Sequence, residues 1–310
     1  MKKVLLVEWS DCLTKYLIQN LCQKGYEVVI LAKHISNFSE LKCCGFPGQI
    51  SHYVADCFDI FHQNSEIANL IQKSDIVINM LESAESQRSA ALEKACVFFP
   101  QKLASLCHLY HKKFIHISAN ITSIAQNLSP FAICKLKGED AVLESNENAI
   151  IVRPNLIIGA GDNLLESYKI LIQYLTIVPF NSFDGVKFSP IYAGDLARVI
   201  SEIASRNDLN ERFFSISGLE TTSVKSLIKK MAKIQGKRTF VIPIPRNITK
   251  FLLSIQKLLP PAMRKINLHL PSANPLNFEH ATRDNALTQF VKIPTKLDQT
   301  LRAVVSDNCA

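Results

Sequence analysis

Glu8, Ser10 and Asp11 are the first residues that could do chemistry. They lie in KVLLVEWSDCLTKYLIQNL (residues 3–21), between the apolar run Val4 to Val7 and a stretch with apolar residues at helical spacing. A buried strand, a tight turn and an amphipathic helix, in that order, open a nucleotide-binding βαβ unit whose phosphates rest on the helix N-terminus. Such a turn needs glycines so that the backbone can bend and come close to the phosphates. This one has none. Ser10 or Asp11 also makes a sound N-cap, so the same turn reads equally as a plain helix start.

Metal and nucleic-acid chemistry find less support. The nine cysteines (Cys12, Cys22, Cys43, Cys44, Cys57, Cys96, Cys107, Cys134 and Cys309) are scattered without CxxC spacing, and the eight histidines are dispersed. No metal site is expected, and the thiols read as reduced and structural. His108, His111 and His116 straddle a helix end and a strand and also read as structural. The net charge is +8, with lysines spread along helices and no aromatic-interleaved basic cluster. A solvated basic face or attraction to an anionic membrane explains it, and no nucleic-acid partner is expected. The N-terminal apolar run is too short for a signal peptide, and no stretch approaches the roughly 20 apolar residues of a spanning helix. A soluble or peripheral chain is expected.

The elements that must position these residues follow from periodicity. Apolar strand runs occur at 3–7, 26–31, 51–55, 75–81, 113–119 and 148–154. Helices are expected over 12–23, 64–73, a long 89–111 and 130–145. Continuous Val/Ile/Leu strands alternating with helices mean a parallel sheet covered on both faces. The fold class is therefore α/β, a doubly wound, Rossmann-like parallel sheet over 1–154, with a smaller α/β C-terminal domain over 155–310. In the latter, NLIIGAGDNLL reads as a Gly-bearing loop, SPIYAGDLARVI as a strand feeding a helix, 213–218 and 239–245 as strands, and TTSVKSLIKKMAKIQGK as a capped helix. A terminal helix ends the chain, and some of these segments return to the main sheet.

The order of DIVINML, FPQKLASLCHLYHKKFIHISA, KGEDAVLESNENAIIVRPNLIIGAGDNLL, SPIYAGDLARVI and TSVKSLIKKMAKIQGKRTFVIPIP resembles the extended short-chain dehydrogenases, the NAD-dependent epimerase/dehydratase superfamily. Within it the chain resembles the atypical branch that contains the dehydrogenase-like accessory subunit of respiratory complex I. The resemblance covers nearly the whole chain. It implies a dinucleotide lying against Ser10, Cys12, Leu13, Lys33, Asp56, Leu81, Ser118, Lys135 and Pro154. Lys33 lies where the family often carries an arginine for the ribose 2′-phosphate, and the usual ribose-binding acid is absent, so NADP(H) is the implied cofactor.

The departures weaken that site. Superposition of the family pattern puts Glu8, Asp11 and Thr14 where its three glycines belong. At ~5 Å and an effective dielectric near 20, one carboxylate facing a phosphate charge costs roughly 3 kcal/mol. Leu81 and Glu82 replace a position that is normally small. Catalysis in this family needs a tyrosine four residues before a lysine, the lysine lowering the phenol pKa and holding the nicotinamide ribose. Ser118 and Lys135 match, but the tyrosine position is Phe131, and shifting the register to Lys137 gives Ile133. A missing acid/base typically costs ~10²- to 10⁴-fold.

Two losses together imply a frame that has shed its chemistry. The expected function is a non-catalytic accessory or assembly factor of respiratory complex I. The alternatives are an NADP-dependent reductase or epimerase and a dinucleotide-sensing module. The expected compartment is cytoplasmic or a matrix-type reducing one, with peripheral contact to the inner membrane. The candidate for that contact is RNITKFLLSIQKLLPPAMRK (246–265), whose Ile248, Phe251, Leu252, Ile255, Leu258 and Leu259 fall at helical spacing. The same stripe would serve equally to pack on its own domain.

Overall fold

A computed structural model of the chain describes residues 1–35, 41, 45–62, 65–81, 89–121, 130–181, 187–244 and 285–306. Strands β1 (Lys3–Val7), β2 (Glu27–Ala32), β3 (Ile50–Val54), β4 (Ile76–Asn79), β5 (Lys113–Ile117) and β6 (Ile150–Pro154) alternate with helices. Together with β10 (Phe213–Ile216) they form one parallel sheet of seven strands, ordered β10-β6-β5-β4-β1-β2-β3. β1 and β4 are buried along nearly their whole length, as strands covered on both faces must be.

Two helical layers cover the sheet. α1 (Thr14–Gln23) and α7 (Ala193–Ser205) pack on one face, where Leu17, Leu21, Leu196 and Ile200 join the side chains of β1 and β2. The other face holds α2 (Glu66–Gln72), α4 (Phe99–Leu109) and α5 (Pro130–Ser145), whose Ile67, Phe99, Leu103 and Val142 meet Leu5 and Val77. The helix expected over 89–111 is three pieces: α3 (Ser89–Glu93), a π-helical turn (Lys94–Phe98) and α4. Pro100 has no N–H to return to the Cys96 carbonyl, so the ladder loosens one turn upstream. α5 comes close to that carbonyl. A Cβ at Gly138 would stand only 1.8 Å from it. A second tie comes from the buried Glu139, which accepts Arg153 Nε at 3.1 and 3.0 Å and so fastens α5 to β6.

Beyond β6 the chain builds a smaller core. The Gly-bearing loop expected at 155–165 holds a short strand, β7 (Ile157–Ile158), and then α6 (Asn163–Tyr174), capped by the Asp162 carboxylate at 3.0 Å from Leu164 N. β7 pairs with β9 (Ile191–Tyr192), and β8 (Ile177–Asn181) pairs with β11 (Phe240–Ile244). Leu165 and Ile172 of α6 pack with Leu227 and Met231 of α8 (Val224–Ile234) and Leu301 of α10 (Leu297–Ser306). Two clasps hold the C-terminal segments. Buried Asp195 accepts Thr295 N at 2.6 Å and Thr295 Oγ1 at 3.1 Å. Asn285 accepts Ser217 N at 3.1 Å and donates to Ser217 O at 2.7 Å, just ahead of α9 (Leu287–Phe290). The stripe at 246–265 lies outside the described residues.

Among the described residues no helix is long and apolar enough to cross a membrane. Likewise, among those residues no group of His, Cys, Asp or Glu is arranged to hold a metal ion. Gly138→Ala is expected to destabilise the fold by about 3 kcal/mol or more, because backbone rather than a movable side chain meets the new methyl. Chemical denaturation of the variant against the wild type checks it.

Candidate functional site

The strand order reverses at β1, with β2 on one side and β4 on the other, and a cleft of about 600 Å³ opens at the C-terminal ends of the strands there. Ser10, Cys12, Leu81, Ser118, Lys135 and Pro154 all line it, as does Phe131. Leu13 instead points into the core at 1 % exposure. Lys33 and Asp56 stand off this lining and pair with each other at 3.3 Å. Asp56 also caps the following turn through Phe58 N at 3.0 Å, and this backbone bond, ahead of Lys33, holds its carboxyl below the usual range.

The turn keeps the backbone of a glycine without the glycine. Glu8 has φ 73°, a left-handed value that costs a side-chain-bearing residue roughly 1 kcal/mol. Its amide donates to Leu31 O at 2.8 Å, which pins the end of β1 to β2. Its carboxylate accepts from the buried Cys57 thiol, whose pKa is pushed up first by burial and then by this negative charge. Neither Ser10 nor Asp11 caps α1 by its side chain, contrary to expectation. Ser10 O already accepts Thr14 N at 3.0 Å, and Thr14 Oγ1 takes Ser10 N at 2.8 Å, so the turn closes on itself. The Asp11 carboxylate instead accepts Trp9 Nε1 at 2.5 Å.

Close backbone approach occurs here between two protein loops. Gly161, at φ 82°, would place a Cβ 3.0 Å from Asp11 O, and Gly159 would place one 3.1 Å from Cys12 Sγ. The loop after β7 thus seats against the altered turn and brings Asp162 into the lining. Among the described residues, Glu8, Asp11 and Asp162 bring three carboxylates to the cleft lining and Lys135 one ammonium. Sequence reasoning missed Asp162 and Asn155 as cleft residues; the Asp-Asn step that caps α6 was the available signal.

The other end of the cleft is built differently. Lys135 is 2 % exposed, donates to Leu81 O at 3.3 Å, and sits 5.7 Å above the Phe131 ring. An aromatic face can stabilise a desolvated cation, so Phe131 has become a partner of the ammonium. Ser118 Oγ and Asn155 Nδ2 are buried and have no hydrogen-bond partner among the described residues. Beneath them Asn79 Nδ2 and His116 Nδ1 pair at 3.0 Å, and Asn79 Oδ1 accepts Leu81 N at 3.1 Å. His116 is not spatially grouped with His108 and His111, which line a different cavity.

No family model matches the chain. NADH dehydrogenase (ubiquinone) 1 alpha subcomplex subunit 9, mitochondrial, of Arabidopsis thaliana is 24% identical over 282 residues, 89% of this chain and 67% of that protein. The Dictyostelium discoideum protein of the same name is 27% identical over 243 residues, 77% of this chain and 65% of that one. The chain is similar to subunit 9. It spans about two thirds of the length of the curated relatives it matches. Among solved structures, a UDP-glucuronic acid 4-epimerase from Bacillus cereus with UDP-glucuronic acid and NAD gives a TM-score of 0.72 at 16% identity, over 97% of this chain and 98% of that one. The Bordetella bronchiseptica enzyme WbmH with NAD+ gives 0.70 at 14%, over 98% and 97%. The fold is thus that of the extended short-chain dehydrogenases.

Burial, with help from the Lys135 charge, pushes the His116 pKa from 6.5 down to about 3. The unfolded chain takes up this proton below about pH 6.5, while the native state stays neutral until about pH 3. The stability is therefore fully present above pH 6.5 and is lost as pH falls through that window, by about 1.4 kcal/mol per unit. His116→Gln is expected to flatten that acid limb. Melting curves from pH 7 to 4 for both proteins check it.

Proposed function

We propose that the chain is a non-catalytic accessory or assembly factor of respiratory complex I that retains a weakened NADP(H) site. The observation that carries this reading is Phe131, a phenyl ring beneath the Lys135 ammonium where the fold's chemistry needs a phenol. Ser118, the nearest hydroxyl of the family pattern, is too weak an acid at neutral pH to take the phenol's part in proton transfer. Similarity to subunit 9 supports complex I as the partner.

The fit of a dinucleotide to the cleft differs between its two ends. At the nicotinamide end, Lys135 would donate to ribose hydroxyls. The unsatisfied Ser118 Oγ and Asn155 Nδ2 would meet ligand oxygens. At the pyrophosphate end, the carboxylates of Glu8, Asp11 and Asp162 oppose an anion, although each also holds a protein partner: Cys57, Trp9 Nε1 and Leu164 N respectively. For the 2′-phosphate, Lys33 would exchange its exposed bridge to Asp56, which is worth little in water. A neighbour on the same fold supports separating binding from turnover: a tyrosine-to-phenylalanine mutant of the B. cereus epimerase is in complex with NAD. Peripheral contact with the inner membrane and a matrix-type reducing compartment belong to the same proposal.

Trp9, the chain's only tryptophan, lines the cleft and reports any dinucleotide that docks there. Titration is expected to give saturable quenching by NADPH in the high micromolar to millimolar range, weaker quenching by NADH, and no turnover of nucleotide sugars. Glu8→Gly is expected to be near neutral in stability, since relief of the left-handed strain offsets glycine's entropic cost of ~0.5–1 kcal/mol. It should tighten NADPH by about tenfold. Nicotinamide-dependent oxidation or reduction of a sugar nucleotide by the wild type would sink the non-catalytic reading. Isolation from its own source without any complex I subunit would sink the partner.

A further inference from the structure

The opposite, N-terminal edge of the sheet carries a second cavity, of about 370 Å³, between the end of α4, the start of β5 and the connection from α7 to β10. Its polar wall consists of His108, His111, Lys112, Lys113, Arg206 and Arg212 with the amides of nearby asparagines, and among the described residues no carboxylate lines it. Ile150 and Leu209 close the apolar side. This contrasts with the dinucleotide-type cleft, where carboxylates prevail.

The fold fixes each of these cations. α4 ends at Leu109, and His111 turns the chain at φ 54°. Lys112 N then returns to Cys107 O at 2.7 Å, which sets two lysines in succession at the start of β5. Lys113 spans to the end of α7 and donates to Ile203 O at 2.5 Å and Ala204 O at 3.3 Å, and also to Arg206 O. These are last-turn carbonyls that no intrahelical N–H reaches, so the ammonium caps α7 and holds Arg206 over the cavity. Arg206 meets Asp208 through two bonds of 3.1 Å. Arg212 donates to Asn148 Oδ1 at 3.1 Å, a neutral partner. Neither Lys112 nor Arg212 forms an ion pair with a described residue. Burial, then the charge of Lys2, lowers the Lys113 pKa to about 8, with Asp208 acting the other way.

We infer that this cavity binds a phosphate group, either free or carried by an acidic phospholipid headgroup, with Lys112 and Arg212 as its main ligands and Arg206 at the rim. Phosphate suits the site because its oxygens accept from several directions at once, and a guanidinium beside an ammonium matches its charge. Lys113 is the post that sets the pocket's shape, since its own donors are engaged by carbonyls.

The test uses the full chain in a buffer free of phosphate. Inorganic phosphate is titrated by calorimetry into the wild type and into Lys112→Gln/Arg212→Gln, whose changes remove surface charge without touching the core. In parallel, each protein is sedimented with vesicles of phosphatidylcholine alone or mixed with phosphatidic acid. Saturable phosphate binding, weakened about tenfold or more for each charge removed, is the expected result. Added sedimentation with phosphatidic acid, lost in the double variant, identifies the headgroup as the source; phosphate binding without it identifies the free ion. If the double variant binds phosphate as the wild type does, the ion sits elsewhere and the assignment is overturned. It is overturned equally if the folded wild type, verified by its melting curve, binds neither phosphate nor phosphatidic-acid vesicles.

Discussion

β1 has β2 on one side and β4 on the other, so the crossover connections leave it in opposite directions. No covering helix can lie across the strand ends at that point, and a cleft results whatever the side chains are. Every feature of the site depends on this reversal. The turn after β1, Leu81 after β4, Ser118 after β5 and Pro154 at the end of β6 meet because parallel strands all end on the same edge. The fold therefore sets the shape of this cleft independently of the residues that line it.

What those residues do now is largely mutual. Glu8 retains the left-handed backbone and joins its carboxylate to Cys57; Ser10 and Thr14 satisfy each other; Asp11 takes the indole N–H of Trp9. Gly159 and Gly161 let the opposite loop settle on this turn at close range. Lys135 is the exception. It stays buried beneath the cleft, where desolvation of an ammonium is costly unless partners compensate, and Phe131 and Leu81 O are among those partners.

Much of this was legible before any coordinates. The apolar runs located all six strands of the first part, and α5 begins and ends where its pattern does, at 130 and 145. The grouping of Ser118, Phe131 and Lys135 followed from motif order. Elsewhere, the deciding contacts join positions remote in sequence. The Lys33–Asp56 bridge and the Asn79–His116 pair exist only once β2, β3, β4 and β5 stand side by side. α6 was hidden because glycines precede it and its cap, Asp162, reads as loop. The π turn was foreshadowed by Pro100, but a proline in the first turn of a helix is so ordinary that it does not announce a loosened ladder upstream. The φ of 73° at Glu8 was signalled only by its place at a family glycine, since propensity alone would not put a glutamate there.

The clasps of Asn285 on Ser217 and of Asp195 on Thr295 tie the last described stretch of chain to the main sheet and to α7, while α10 packs with α6 and α8 of the smaller core. One stretch of chain thus bridges both cores, so that loosening either clasp would weaken the mechanical coupling between them.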